Sequence, residues 1–259
     1  MKECFPIWGF ASNARVQGDS VLILKQLLEA LKAKATPVFR EATAKRLETM
    51  KRESEERRAN LAGEVADKGK RGAINPHYLC AEISKAIGDD AIVVNEGIRS
   101  GPVVNSQIMR TRPGSSIGFA GGGLGSSSGT ALGIKLARPE ATVLQMVGDG
   151  GFYFGNPSSA YAVSKQYKLP IFTVLFDNSG WSAVKEATLR VYPQGDAKAT
   201  NEFNALLAPD IEFTKICEAA GGYGERVDDP EAVPAAIQRC LKEVRGGRSA
   251  LMHVRIPVL

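Results

Sequence analysis

The chain has 259 residues, 44% of them hydrophobic and 24% charged, with 27 glycines and 13 prolines. That composition suits a globular α/β domain with a full core and excludes a disordered tail, a disulfide-stapled miniprotein or a coiled coil as the whole molecule. The net charge of +5 lies entirely in residues 31–72, where 12 lysines and arginines face 7 acids, so a basic surface for nucleic acid is not expected.

The N-terminal MKECFPIWGF lacks the basic-then-apolar layout of a secretory signal, and no apolar run reaches the ~18 residues of a membrane span. Cys4, Cys80, Cys217 and Cys240 are scattered without a CxxC pair, and reduced thiols in a cytoplasmic protein are the expectation. Residues 1–35 carry a Trp-Gly-Phe stretch and a short amphipathic helix over 20–31, too little apolar surface to fold alone. A charged helix over 38–66 follows, with Glu48 spaced to Arg52 and Glu53 to Arg57 as on a solvated connector, and 67–72 (DKGKRG) is its exit.

From residue 73 the pattern becomes regular. Asn75-Pro76 opens a helix that places Leu79, Ile83 and Ile87 on one face and ends at Gly88. Uninterrupted apolar runs predict strands at 91–95, 142–147, 171–176 and 250–256. Helices at about 125–137, 156–168, 212–220 and 230–244 alternate with them, the last capped by Asp229-Pro230. Strands apolar throughout, alternating with helices, predict an α/β fold: a doubly wound parallel sheet with helices on both faces, preceded by a helical connector. No internal repeat is visible.

Ligands of such sheets bind beyond the carboxyl ends of the strands. Three loops of unusual composition leave strand ends: NEGIRSG (95–101), GDGGFYFGN (148–156) and DNSGW (177–181). In the second, Gly150 and Gly151 free the backbone to turn tightly and present amides to a phosphate. Asn178 lies 29 residues beyond Asp149, an interval filled by one crossover unit that brings it to the end of a neighbouring strand. Asp149, the Asn178 amide oxygen and a carbonyl near Gly180 would then converge as hard oxygen donors suited to Mg²⁺ or Ca²⁺.

This GDG, crossover, strand and Asn arrangement resembles the cofactor motif of thiamine-diphosphate-dependent enzymes, in particular the diphosphate-binding domain of the acetolactate synthase, benzoylformate decarboxylase and 2-hydroxyacyl-CoA lyase group. The segment GFAGGGLGSSSGTALGIKLARPE (118–140) is similar to that group's glycine-rich turn and following helix. The likeness covers 73–259; residues 1–35 resemble the end of the family's central domain, and 36–72 its interdomain connector. The resemblance implies thiamine diphosphate and Mg²⁺ as cofactors. Asp149, Asn178 and the Gly180 carbonyl would be the metal ligands, and Gly148, Gly150 and Gly151 would line the diphosphate. Leu124, 25 residues before Asp149, would support the bent cofactor, with Gly122 accepting from the aminopyrimidine beside Gly123. Gly97, Ile98 and Arg99 would lie near the diphosphate, and Trp181 just past the metal loop. Gly151 stands where a Ser is common, Asp177 where an Asn is usual, and the stretch after GDG is a couple of residues longer than in the best-known members.

In that family a glutamate on a separate pyrimidine-binding domain activates the cofactor, and this chain carries no such domain. Glu96 is expected to face the substrate side or to buttress its loop. The resemblance therefore implies one subunit of a split lyase or carboligase for a 2-oxo acid or 2-hydroxyacyl substrate. It would be active only with a partner subunit, as a hetero-oligomer built as a dimer of heterodimers, with no nucleic-acid or membrane partner. Fragment status, a non-catalytic regulatory subunit and an unrelated nucleotide-binding module remain as competing readings. Read alone, Asp149 could cap a helix, Leu124 could be core, and Trp181 either core or site wall. Arg99 could pair with diphosphate or sit on the surface, and Tyr153, Phe154 and Asn156 would orient their loop or help form the pocket floor. His77 and His253 read as structural. The GGGLG run, with no convincing strand before it, is a weak imitation of a dinucleotide loop.

Overall fold

A computed structural model describes residues 11, 13–118, 123–208 and 210–258. Cys4, Trp8 and Gly122 lie outside the described residues. The chain divides into two compact units, Met1–Arg58 and Ala59–Leu259. Helix α1 (Ser20–Lys34) starts at Asp19, whose carboxylate accepts from Val21 N at 2.9 Å and Leu22 N at 3.1 Å. Helix α2 (Pro37–Ala66) buries none of its side chains, as its mixed charges require, and Lys45–Glu41 pairs along its face at 3.0 Å.

A small antiparallel hairpin pairs Gly69–Lys70 with Ala73–Ile74. Asn75 then caps helix α3 (Pro76–Ala86), accepting from His77 N at 2.9 Å, while its Nδ2 donates to Glu64 O and Asp67 O. The remaining elements follow as strand β1 (Ile92–Asn95), helix α4 (Gly101–Gln107), strand β2 (Ser116–Gly118) and helix α5 (Ser127–Ala137). Next come strand β3 (Val143–Gly148), helices α6 (Asp149–Phe154) and α7 (Pro157–Tyr167), and strand β4 (Phe172–Asp177). Helices α8 (Ser182–Val191), α9 (Asp196–Thr200) and α10 (Thr214–Ala219) lead to strand β5 (Tyr223–Val227), helix α11 (Val233–Arg245) and strand β6 (Ala250–Arg255).

The six strands form one parallel sheet in the order β2-β1-β3-β4-β6-β5. Because side chains alternate across a strand, Leu144 and Met146 of β3 join the core on the α3, α4 and α11 face. Val143 and Val147 of the same strand enter the cores on the α5, α7 and α10 face. On that second face Gln145 is buried and satisfied: it donates to Ser127 Oγ at 2.8 Å and Ser128 Oγ at 2.9 Å, and accepts from Thr173 Oγ1 at 3.0 Å. Tyr161 OH donates in turn to Thr173 Oγ1 at 2.9 Å, so one polar chain ties α5, β3, β4 and α7 together.

The doubly wound parallel sheet with helices on both faces is therefore observed. The hairpin at 69–74 and six further elements escape the sequence reading: β2, β5, α4, α6, α8 and α9. Their discovery corrects one expectation, since β2 does precede the glycine-rich run at 121–125. The chain order reverses direction between β1 and β3, which is the switch point where the loops after two adjacent strands part and leave a crevice.

Candidate functional site

The crevice at the switch point holds a cavity of about 130 Å³, lined by Glu96, Ile98, Leu124, Asp149, Asn178 and Trp181 among others. Larger hollows lie elsewhere among the described residues, two of them near the sheet ends. One, of about 530 Å³, flanks edge strand β2. The other, of about 670 Å³, lies at the opposite pole of the sheet, where Lys135, Lys168 and Arg245 sit at helix C-termini and offset the helix dipoles.

Asp149 follows the last residue of β3 and is 2% exposed. Its Oδ1 accepts from Gly150 N at 2.8 Å and its Oδ2 from Gly180 N at 2.7 Å. The Gly150 amide expected to meet a phosphate is thus turned onto Asp149. Burial raises the Asp149 pKa to about 7, with the nearby Asp177 carboxylate adding to the rise and the two amides opposing it. One terminal atom of the Asn178 amide lies 2.8 Å from Gly180 O and 3.2 Å from Asp149 Oδ1, and the other lies 2.5 Å from Ser182 Oγ. Asp149, Asn178 and the Gly180 carbonyl therefore do converge. With nitrogen turned inward, Asn178 donates to the two oxygens; with oxygen turned inward, the three form an acceptor-only set that needs a cation.

The turn presenting Asn178 and Gly180 is held from both sides. Ser179 has φ of +67° and Gly180 φ of +153°. Trp181 N donates to Ala205 O at 2.7 Å and Leu207 N to Ser179 O at 3.1 Å, so residues 205–207 strap the turn from outside. A β-carbon on Gly180 would come far inside van der Waals contact distance of Ala205 O, which is why glycine is required. From inside, Asp177 Oδ1 accepts from Ser179 N at 2.9 Å. Asp177 Oδ2 meets His253 Nε2 at 2.7 Å and Arg255 Nη1 at 3.0 Å. Burial opposes ionisation of Asp177, but His253, the Ser179 amide and Arg255 outweigh it and hold the carboxyl well below its usual range. His253 is thus structural in the sense of anchoring, packed edge-on against Phe213.

The opposite wall comes from β1 and α5. Asn95 orders the loop after β1, accepting from Gly97 N at 3.0 Å and donating to Gly101 O at 3.0 Å. Glu96, 1% exposed, accepts from Gly125 N through Oε1 and from Ser127 N at 2.7 Å through Oε2. The Glu96 carboxylate closes the start of α5 and holds the turn carrying Leu124, while the residue also lines the cavity. Leu124 reaches toward Gly151, where a β-carbon would sit 3.4 Å from Leu124 Cδ1 and from Glu96 Oε1. Trp181 packs its indole on Gly150 so closely that a β-carbon there would lie 2.5 Å from Nε1; Trp181 is the site wall. Arg99 pairs with Glu186 of α8 across the cavity mouth. Gly97, Ile98 and Gly148 line the cavity, whereas Tyr153 and Phe154 are exposed, 53% and 65%.

The sequence reading missed the Asp177–His253–Arg255 cluster and the role of Ser182. The signal lay in the strand register, because Leu175 pairs with His253 and Asp177 with Arg255, which puts Asp177 and His253 on one face. Among the described residues no group of three or more histidine, cysteine, aspartate or glutamate side chains is placed to hold a metal. Among the described residues, too, no helix is long and apolar enough to cross a membrane.

Comparison with known proteins agrees with this fold. Residues 102–254 match the family described as thiamine pyrophosphate enzyme, C-terminal TPP binding domain. Similar proteins include 2-hydroxyacyl-CoA lyase 2 of Danio rerio, 26% identical over 93% of this chain and 37% of the lyase. The acetolactate synthase isozyme 3 large subunit of Escherichia coli is 29% identical over 52% of this chain and 23% of that subunit. Among solved structures, the thiamine diphosphate-dependent 4-hydroxybenzoylformate decarboxylase of Rhodococcus jostii RHA1 superposes with a TM-score of 0.63 at 26% identity, over 73% of this chain and 33% of that one. The chain thus spans little more than a third of the lyase it matches over nearly its whole length. It belongs to the family of C-terminal, thiamine-pyrophosphate-binding domains of thiamine pyrophosphate enzymes.

Proposed function

We propose that this chain is the diphosphate- and Mg²⁺-binding part of a thiamine-diphosphate-dependent carbon–carbon lyase or carboligase acting on a 2-oxo acid or 2-hydroxyacyl compound. One observation carries the reading: the Asp149 carboxylate, the Asn178 side-chain amide and the Gly180 carbonyl gather at the switch point of a chain from this family. A carboxylate, an amide oxygen and a main-chain carbonyl are the hard-donor chemistry Mg²⁺ takes, and with the Asn178 oxygen turned inward the three are acceptors with no proton between them, so the residues fit the ion.

When bound, thiamine diphosphate supplies a nucleophilic carbon and an electron sink for breaking or making the bond beside a carbonyl. This chain's residues supply position and surroundings. Gly150 N and Gly180 N orient the Asp149 carboxylate, while Ser182 Oγ orients the Asn178 amide. A cation favours ionised Asp149, offsetting the burial that otherwise raises its pKa. Leu124 is an apolar part of the cavity lining beside Gly151, its turn held by Glu96. Trp181 walls the cavity beside Gly150.

Both oxygens of Glu96 are committed to main-chain amides, so Glu96 is not the proton carrier; in our reading a carboxylate from a partner subunit with a pyrimidine-binding domain fills that role. Ile98 and Val184, exposed at the cavity mouth, offer that subunit an apolar contact in a hetero-oligomer, a dimer of heterodimers. A cytoplasmic setting suits the free, buried Cys80, Cys217 and Cys240.

Calorimetry of the full chain with thiamine diphosphate, with and without Mg²⁺, tests the reading. Binding should require the cation and should weaken at least tenfold in Asp149→Ala. Binding indifferent to both, or preferential binding of NAD or FMN, would contradict it.

A further inference from the structure

The Asp177 cluster is unusual for what lies behind a turn of three residues. Asp177 is 3% exposed and His253 fully buried, yet neither belongs to the cavity lining. The carboxylate divides its two oxygens between two tasks. Oδ1 accepts from Ser179 N at 2.9 Å and so holds the residue between Asn178 and Gly180 at its positive φ. Oδ2 is fixed by His253 Nε2 at 2.7 Å and Arg255 Nη1 at 3.0 Å, both from β6. The side chain cannot rotate without breaking those two bonds. Strand β6 thereby sets the orientation of the turn that carries two of the three converging oxygens.

We propose that Asp177, clamped by His253 and Arg255, is a positioning residue that holds the Asn178 and Gly180 oxygens in register with Asp149 for a divalent cation. This rests on the metal-binding reading given above. The clamp acts through geometry more than through charge, and the two mechanisms predict different outcomes.

Asn at position 177 keeps the size and removes one acceptor. If its oxygen faces Ser179 N, its NH₂ faces two donors. His253 can yield by carrying its hydrogen on Nδ1, which looks toward Glu212 Oε1 at 3.9 Å, but a guanidinium has no acceptor form. If the amide turns over, its NH₂ meets the Ser179 N–H instead. The first orientation drives Arg255 off and breaks the clamp, and the second loses the Ser179 anchor, so Asn cannot hold both ends of the clamp while Arg255 is present. Replacing Arg255 by Gln supplies an acceptor for the new NH₂ and should restore the anchor.

The test uses the purified full chain in a Trp8→Phe background, which leaves Trp181 as its one tryptophan. Terbium(III) is titrated in and its emission, sensitised by Trp181, is followed; Mg²⁺ is then titrated in competition. Asp177→Asn should weaken Tb³⁺ and Mg²⁺ binding at least tenfold, and Asp177→Asn/Arg255→Gln should recover to within about threefold of the parent. Should Asp177→Asn fail to fold, Arg255→Leu decides. Loss of a nearby positive charge alone would tighten cation binding, whereas loss of the clamp should weaken it severalfold. Unchanged affinity in Asp177→Asn, no recovery in the double variant, or tighter binding in Arg255→Leu would each overturn the proposal. Asp149→Asn separates this from the reading beneath it. If Asp149→Asn leaves Tb³⁺ affinity intact, the metal site itself is wrong; if it abolishes binding while Asp177→Asn does not weaken it, only the clamp is wrong.

Discussion

Gly180→Ala is the sharpest perturbation the site offers. The added methyl would overlap Ala205 O and lie 3.0 Å from Leu206 Cα, and both are main-chain atoms that cannot rotate away. Ala205 O also accepts from Trp181 N at 2.7 Å, so relieving the overlap breaks the strap. Overpacking of this kind costs about 1–3 kcal/mol. A side chain at φ of +153° costs about 1–3 kcal/mol more. The midpoint of the sum, about 4 kcal/mol, corresponds to a fall in Tm of roughly 8–16 °C for a domain of this size. Gly148→Ala, one residue before Asp149, is the matched control. There the nearest atom to a new β-carbon is Phe176 O at 4.0 Å, and the change should stay within about 1 kcal/mol. Urea and thermal unfolding of both variants, followed by circular dichroism, give the comparison directly. Equal midpoints for Gly180→Ala and the parent would mean that residues 205–207 do not press on the turn, and the reasoning from strap to metal oxygens would fail.

Three other outcomes follow from the same geometry. Glu96→Gln sets an NH₂ against one of two main-chain donors at Gly125 and Ser127 and should cost about 1–3 kcal/mol in chemical unfolding; a normal midpoint would refute the buttress role. Thr173→Val strands Gln145 Oε1 and Tyr161 OH in the core and should cost a similar ~1–3 kcal/mol, whereas an unchanged midpoint would show that the polar chain does not bind α5 to α7. In metal-free protein the pKa of Asp149 is raised to about 7, above its unfolded value, so its contribution is fully present below the unfolded pKa of about 4 and is lost as pH rises toward 7. Chelator-treated protein should therefore show a component of stability that falls over that window and that Asp149→Asn removes; identical pH profiles for the two proteins would contradict the burial of an uncompensated carboxylate.

Much of this could be read from the chain itself, for physical reasons that also mark where reading stops. Strands β1, β3, β4 and β6 are buried on both faces and so are written as unbroken apolar runs. The edge strands are not: β2 has three residues, Ser-Ile-Gly, and β5 reads Tyr-Gly-Glu-Arg-Val, with side chains half in water. Helix α6 begins Asp-Gly-Gly and α4 begins Gly-Pro, sequences of poor helical propensity whose conformation comes from packing at a strand end. Asp149 and Asn178 were legible because a single crossover unit has a nearly fixed reach. Glu96, by contrast, bonds Ser127 across 31 residues, and Asp177 bonds His253 across 76, pairings that appear only once the strand order and register are known. Gly150 was read as a phosphate amide because glycine after a strand permits that; the structure spends its N–H on Asp149 and uses its missing side chain to admit Trp181.

The most direct measurement is a crystal structure of the full chain grown with Mn²⁺ and thiamine diphosphate, with the ion located by its anomalous signal. The ion should lie about 2–2.4 Å from Asp149 Oδ, Asn178 Oδ1 and Gly180 O, with the Asn178 oxygen turned inward and its nitrogen on Ser182. An ion held elsewhere, or an Asn178 nitrogen still facing Gly180 O beside bound cofactor, would contradict the metal site on which the functional reading stands.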